Sequence, residues 1–338
     1  MKKIFIHSAA CISAQHTFDS EGFLDDIIEI SGKTFPAQYP NYKDYISPAA
    51  SRRMATAVKL GVTAASKALE KANLKQPDAI ITGTGMGCLE DTEKFLNNII
   101  ANDEEFLTPT AFIQSTHNTI GAQIALGLQC KAYNSTYAHA ALSFESALLD
   151  AQLLLQEEAH NILVGGVDEL GKEMIHYIRM MEDAESIGIQ VPFSEGASFF
   201  VMSSETKKNA IQLVDMEVCS TASEEIIQKN LKYFLERNTI NSLDIDVLIL
   251  GRNGDVFDSY YEEVATHFND ISQLHYKHLS GEFYTASPFG LWAACEILNR
   301  QEIPKPLIYK GTAKPKINTI LLYNQFKGRD HSFILLKR

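Results

Sequence analysis

The sequence predicts a layered α/β protein built of two pseudo-repeated halves. Three observations carry that prediction. Strand-like and helix-like segments alternate from end to end, no Pro-, Gly- or Ser-rich linker interrupts them, and the rhythm restarts near residue 205. The halves, 1–205 and 206–338, are expected to pack as one body. With 338 residues, 45% of them apolar and 21% charged, the chain is long enough for a large core and ordinary in composition.

The elements follow in order. "KIFIHSAACISA" reads as a first strand. Residues 16–50 show no period, hold Pro, Tyr and Asp, and read as a surface excursion. From Ser51 onward Met54, Val58, Val62, Ala65, Leu69 and Ala72 recur at three- and four-residue steps, one face of a helix. "DAIITGTGMG" is a buried strand entering a Gly-rich turn, and "EDTEKFLNNII" opens a helix with carboxylates where the helix dipole favours them. "TPTAFIQSTHNTIGAQIALGL" reads as a loop feeding a buried helix. "YNSTYAHAALSFESALLDA" is a short strand, a tight break at His139-Ala140-Ala141, and a helix. "HNILVGGVDE" and "VPFSEGASFFVMSSE" are strands. The second half repeats the pattern: "AIQLVDMEVCS" strand, "SEEIIQKNLKYFLERN" helix, "DIDVLILGRNG" strand, "SYYEEVATHF" helix, "PFGLWAACEILNRQ" buried helix, then "INTILLYNQF" and "SFILLKR" as closing strands.

A net charge of −12 disfavours nucleic acid or an anionic membrane as the main partner, since both need a concentrated basic surface. Cys11, Cys88, Cys130, Cys219 and Cys295 form neither a CxxC pair nor a Cys/His cluster, which points away from structural zinc and from a disulfide framework. Scattered thiols fit a reducing cytoplasm. At the N-terminus His7 ends the apolar run after three residues, too soon for a signal peptide, and no run approaches a membrane span. No cofactor or metal site is expected. The turn Gly83-Thr84-Gly85-Met86-Gly87-Cys88 lacks the third glycine of a dinucleotide fingerprint, and no Walker A, HExxH or GxSxG motif occurs. His117 and His139 sit among apolar or small residues, where a core histidine is the plainer reading. Ser143 and Glu145 follow the break on the first helical turn, where capping or packing is the plainer role; with His139 they form the alternative catalytic set.

These segments together resemble the β-ketoacyl synthase branch of the thiolase-fold family, nearly end to end. "GTGMG" is similar to its first Gly-rich turn, and "ALLDAQLLLQEEAHNILVGGVDE" to its nucleophile helix with the following strand and Gly-Gly-x-x-Glu. "PFSEGAS" resembles the opening of the last strand of the N-terminal half, "DIDVLILGRNG" the Asp-x-x-x-x-His-Gly-Thr-Gly-Thr segment, "KHLSGEFYTASPFG" the Lys-x-x-x-Gly-His segment and "NQFKGRDHSFILL" the Phe-Gly-Gly closing strands. The resemblance implies a thiolase-like αβαβα fold. It also implies chemistry that needs a Cys thiolate at a helix N-terminus and two His that stabilise an enolate.

Position by position, the nucleophile falls on Ala140, within a residue either way, so that only His139, Ala140 and Ala141 are candidates. The first His position is Gly251. Lys277 and Gly281 are kept, and the second His position is Glu282. The glycine-rich gate reads Lys327-Gly328-Arg329-Asp330. Loss of one oxyanion donor typically costs about a hundred- to a thousand-fold in rate, and such residues act as a unit. The resemblance therefore implies a catalytically degenerate member, comparable to a chain length factor, that pairs with an active ketosynthase and through it serves an acyl carrier protein. Its wording is similar to proteins of aryl-polyene and flexirubin synthesis. Phe112, Ile113 and His117 become candidates to line or limit an acyl tunnel, and the strand at Ala132–Tyr137 a candidate dimer strand. A thiolase-fold acyl hydrolase or transacylase using His139, Ser143 and Glu145, and a homodimeric scaffold, are the alternatives.

Overall fold

In the strand Val247–Leu250, Leu248 and Leu250 face one side and Val247 and Ile249 the other, and all four are buried. A strand buried on both faces requires cover on both, and that requirement builds the layers. The computed structural model describes residues 2–338 apart from 106, 108, 208, 209, 221, 222 and 313. Among these the strands are β1 (Ile4–Ile12), β2 (Ala79–Gly83), β3 (Tyr133–Tyr137), β4 (Asn161–Asp168), β5 (Gly196–Ser203), β6 (Ile211–Ser220), β7 (Val247–Leu250), β8 (Ser272–His275), β9 (Ile308–Lys310), β10 (Thr319–Phe326) and β11 (Asp330–Lys337). The helices are α1 (Pro48–Ser51), α2 (Thr56–Ala72), α3 (Leu89–Ala101), α4 (Pro109–Ser115), α5 (Thr119–Leu128), α6 (Ser143–Gln156), α7 (Met174–Ala184), α8 (Glu224–Arg237), α9 (Ser259–Ala265), α10 (Lys277–Ser280) and α11 (Ser287–Arg300).

The strands form one sheet, ordered β3-β2-β4-β5-β1-β6-β11-β10-β7-β8-β9. Outward from the β1–β6 junction, β1-β5-β4-β2-β3 on one side matches β6-β11-β10-β7-β8 on the other. In both, the second strand of that order, β5 or β11, runs antiparallel to its two neighbours. In both, the outer pairs are parallel. The repeated rhythm of the sequence is thus a repeated topology, with β9 added at one edge. Helices α6 and α11 lie between the two sets of strands and share one core with both. Helices α2 and α5 cover the outer face of the first set, α8 and α9 that of the second. The layers run αβαβα. Helix α11 is apolar nearly all round, as a helix inside such a stack must be.

The structure corrects several expectations. The excursion at 16–50 is not confined to the surface: Phe23 and Leu24 enter the central core, and Phe18, Ala37 and Ile46 pack under α2. Its apolar residues fill gaps between elements and so carry no period. The stretch expected as a loop contains the short α4, opened by Pro109, whose fixed φ suits a first helical turn; Thr108, where that stretch begins, lies outside the described residues. The first long helix starts at Thr56, after a break from α1. Strands β8 and β9 and helices α7 and α10 were not anticipated by periodicity.

Candidate functional site

Strand β3 ends at Tyr137, and the chain turns through Ala140 into α6. Ala140 has φ +44, a left-handed conformation that costs a non-glycine residue on the order of 1 kcal/mol. The turn is pinned by Ser143, whose hydroxyl donates to Ala140 O at 2.7 Å and accepts from His139 N at 2.8 Å. Beneath it, a Cβ on Gly83 would stand 2.5 Å from Ser143 O and 2.6 Å from Phe144 N, so only glycine lets β2 approach the elbow. The strained strand–elbow–helix is therefore intact, with a methyl group at its tip.

The alternative catalytic residues point apart. His139 is exposed, with Nδ1 3.4 Å from Ser146 Oγ, while Ser143 is committed to the backbone. Glu145 is fully buried on the opposite side of the helix, accepts from Ser332 Oγ at 3.1 Å, and is held above the usual carboxylate range by desolvation.

Gly251 ends β7. A Cβ there would collide with Asn324 Oδ1 and lie 2.9 Å from both the Tyr261 and Tyr276 hydroxyls. Tyr276 donates to Asn324 Oδ1 at 3.0 Å, and Tyr261 accepts from Gln325 N at 3.0 Å. The volume a side chain at 251 would need is already occupied by a hydrogen-bonded cluster. Glu282 is 2% exposed; its Oε2 accepts from Lys277 Nζ at 2.9 Å and from Asn253 Nδ2 at 2.7 Å. The three polar side chains close on one another.

Two carboxylates organise the surroundings: Asp168, not singled out from the sequence, and Glu169, the Glu of the Gly-Gly-x-x-Glu. Asp168, at the end of β4, accepts from Thr84 Oγ1, Gly85 N and Met86 N of one half and from Thr285 N and Oγ1 of the other. The next residue, Glu169, accepts from Ala57 N and Glu90 N and so caps the first turns of α2 and α3; burial pushes its carboxyl up to about 8. Adjacent acids closing a strand of Ile, Leu, Val and Gly were the available signal. Between these groups and α7 lies a cavity of about 30 Å³, walled by Met86, Ile178, Phe193, Phe283 and Phe326 and bordered by Asp168, Glu182 and Glu282. That volume admits water but not an acyl chain. Lys327 pairs with Glu182 on α7 and with Glu185 just past its end, at 3.5 and 3.8 Å.

Phe112 and Ile113 lie exposed on α4 and His117 is exposed just beyond it; none borders the cavity. No group of His, Cys, Asp and Glu among the described residues could hold a metal ion. No helix among the described residues is long and apolar enough to cross a membrane.

The duplicated αβαβα stack, with an elbow at the head of the central helix and a Lys-x-x-x-Gly turn opposite, defines a thiolase-fold protein of the ketosynthase type. Residues 33–236, more than half the chain, match the family described as "Beta-ketoacyl synthase, N-terminal domain", and the chain belongs to that family. Among curated proteins none matches it. Solved structures share the fold at low identity. A β-ketoacyl synthase from Burkholderia phymatum STM815 has a TM-score of 0.79 at 13% identity over 100% of both chains. The ishigamide ketosynthase/chain length factor gives 0.77 at 15% over 99% of each. The ketosynthase ApeO in complex with its chain length factor ApeC, from Xenorhabdus doucetiae, gives 0.73 at 15% over 99% of this chain and 98% of that one.

Proposed function

We propose that this chain is a catalytically degenerate ketosynthase homologue, acting as the chain-length-factor-like partner of an active ketosynthase in polyketide or fatty-acid-type synthesis, of the aryl-polyene or flexirubin kind. The observation that carries the reading is the refilled site. Ala140 removes the nucleophile, Asn324 and two tyrosines occupy the first imidazole's place, and Glu282 turns the second donor into an acceptor bonded to Lys277. A site that had merely lost one residue would keep the others poised.

Partnership is supported by β3. It is an edge strand, so one side of its backbone has no pairing strand among the described residues. Around it Leu126, Tyr133, Leu149 and Leu153 are exposed, with Phe112 and Ile113 nearby on α4. An unpaired edge flanked by apolar side chains suits pairing with a second thiolase-fold subunit across a pseudo-two-fold axis. Phe112, Ile113 and His117 would then face the partner's acyl tunnel rather than a tunnel of their own, and the acyl carrier protein would be met through that partner. We place the division between the halves near residue 205 and the protein in the cytoplasm, in keeping with its free thiols.

The test is co-expression with a ketosynthase from the same organism, followed by light scattering. A 1:1 heterodimer that elongates carrier-bound acyl chains, with neither subunit active alone, is the expected result. A stable homodimer that never takes up a ketosynthase would overturn the reading.

A further inference from the structure

We propose that the cavity beneath α7 binds a ligand that donates a hydrogen bond, an alcohol, phenol or primary amine carried on an apolar body. This is the reverse of the polarity that the family resemblance implies, in which imidazoles donate to a carbonyl oxygen. Both bonds that hold Glu282 go to Oε2. Its Oε1 accepts no hydrogen bond from any described residue, although it belongs to a side chain only 2% exposed on a residue that borders the cavity. An unpaired oxygen of a buried carboxylate is costly, and it calls for a donor. The neighbouring polar groups do not supply one: Ser194 donates its hydroxyl to Phe35 O, the Tyr284 hydroxyl makes no bond to Oε1, and Glu169 is a carboxylate. Asp168 and Glu182 are themselves carboxylates, and Asp168 is already engaged by Thr84, Gly85, Met86 and Thr285. The remaining walls are largely aromatic or aliphatic. An acceptor pole inside an apolar enclosure selects a donor head on an apolar body.

At about 30 Å³ the cavity holds water, and a ring-bearing ligand enters only when a wall moves. Helix α7 is that wall. It turns Ile175, Ile178 and Glu182 inward, while Tyr177, Met180 and Met181 stay exposed on its other face. Near its end it is tied down by the ion pairs of Lys327 to Glu182 and Glu185. The site stands whether or not the chain pairs with a ketosynthase.

The experiment is calorimetric or ligand-observed NMR titration of the full chain with four matched probes: 4-methylphenol, 4-methylbenzylamine, toluene and 4-methylacetophenone. A donor-headed probe should bind at least about tenfold more tightly than toluene or the ketone. Phenol ahead of amine identifies a neutral hydroxyl ligand, and the reverse order an ammonium. In Glu282→Gln the amide oxygen can keep the Lys277 and Asn253 bonds while N–H replaces Oε1. The preference should then invert, the ketone gaining and the phenol losing about tenfold. Ile178→Trp, which fills the cavity from α7, should abolish binding of all four, and thermal melts report whether each variant is folded. Equal binding of the four probes, binding by none, or a preference unchanged in Glu282→Gln would each overturn the proposal and leave Oε1 to solvent.

Discussion

The two halves of the molecule have treated their parts of the site differently. In the N-terminal half a backbone elbow turns on a small side chain: Ala140 has a strained φ and Ser143 fastens the turn. In the C-terminal half buried polar side chains bond to one another, Asn324 with Tyr276 and Glu282 with Lys277 and Asn253. The elbow is dictated by the path from an edge strand into a buried helix, so its shape does not depend on which side chain stands at its tip. The surroundings of Gly251 and Glu282 are close-packed interior, where side-chain volume is filled.

That contrast can be broken by substitution. The largest effect is expected at the buried ion pair. Lys277→Met strands the Glu282 carboxylate and should cost about 3–5 kcal/mol in urea unfolding, whereas the double variant Lys277→Met/Glu282→Leu should cost clearly less. If the two variants are equally unstable, the pair is not what holds that region. Next is Gly251→His, which would restore an imidazole by sequence. It should destabilise by about 1–3 kcal/mol, because the new side chain meets Asn324 and two tyrosine hydroxyls; a neutral outcome would mean the position is open. Smaller still, Ala140→Gly should stabilise by up to about 1 kcal/mol by relieving its positive φ, while the neighbouring Ala141→Gly should destabilise by a similar amount. Matching signs would show that the elbow is not strained.

A further effect concerns pH. Burial, helped by the Glu282 carboxylate, raises the Glu182 carboxyl to about 7 against Lys327 and Arg179, which lower it. A folded state that holds the proton more tightly than the unfolded chain loses stability as pH rises from about 4.5 to 7, and no further above that. Relative to wild type, Glu182→Gln should therefore gain stability progressively across that window, read from unfolding midpoints at fixed ionic strength. A difference constant with pH would remove Glu182 as its source.

Much of the fold was legible because strands buried on both faces read as unbroken apolar runs, such as "VLIL" in β7 and "ILVGG" in β4. Three site positions could be counted from fixed marks, Gly165-Gly166, Asp246 and Lys277. What filled them could not be counted. Asn324 and Tyr261 reach Gly251 from strand β10 and helix α9, and only the folded chain brings them together. Helix α7 was missed because "MIHYIRMMEDA" puts apolar residues both against the cavity and toward solvent, which blurs a helical stripe. The short β8 and β9 offer too few residues for a period to show.

We propose that catalytic loss is divided between the halves, with the elbow ready for a nucleophile and the opposite wall set against the chemistry. Ala140→Cys tests it most directly, by mass spectrometry after incubation with an acyl thioester and then with malonyl-charged carrier protein. The expected result is an acyl adduct on residue 140 with neither CO2 release nor β-ketoacyl product. Decarboxylation and condensation restored by that single substitution would contradict it.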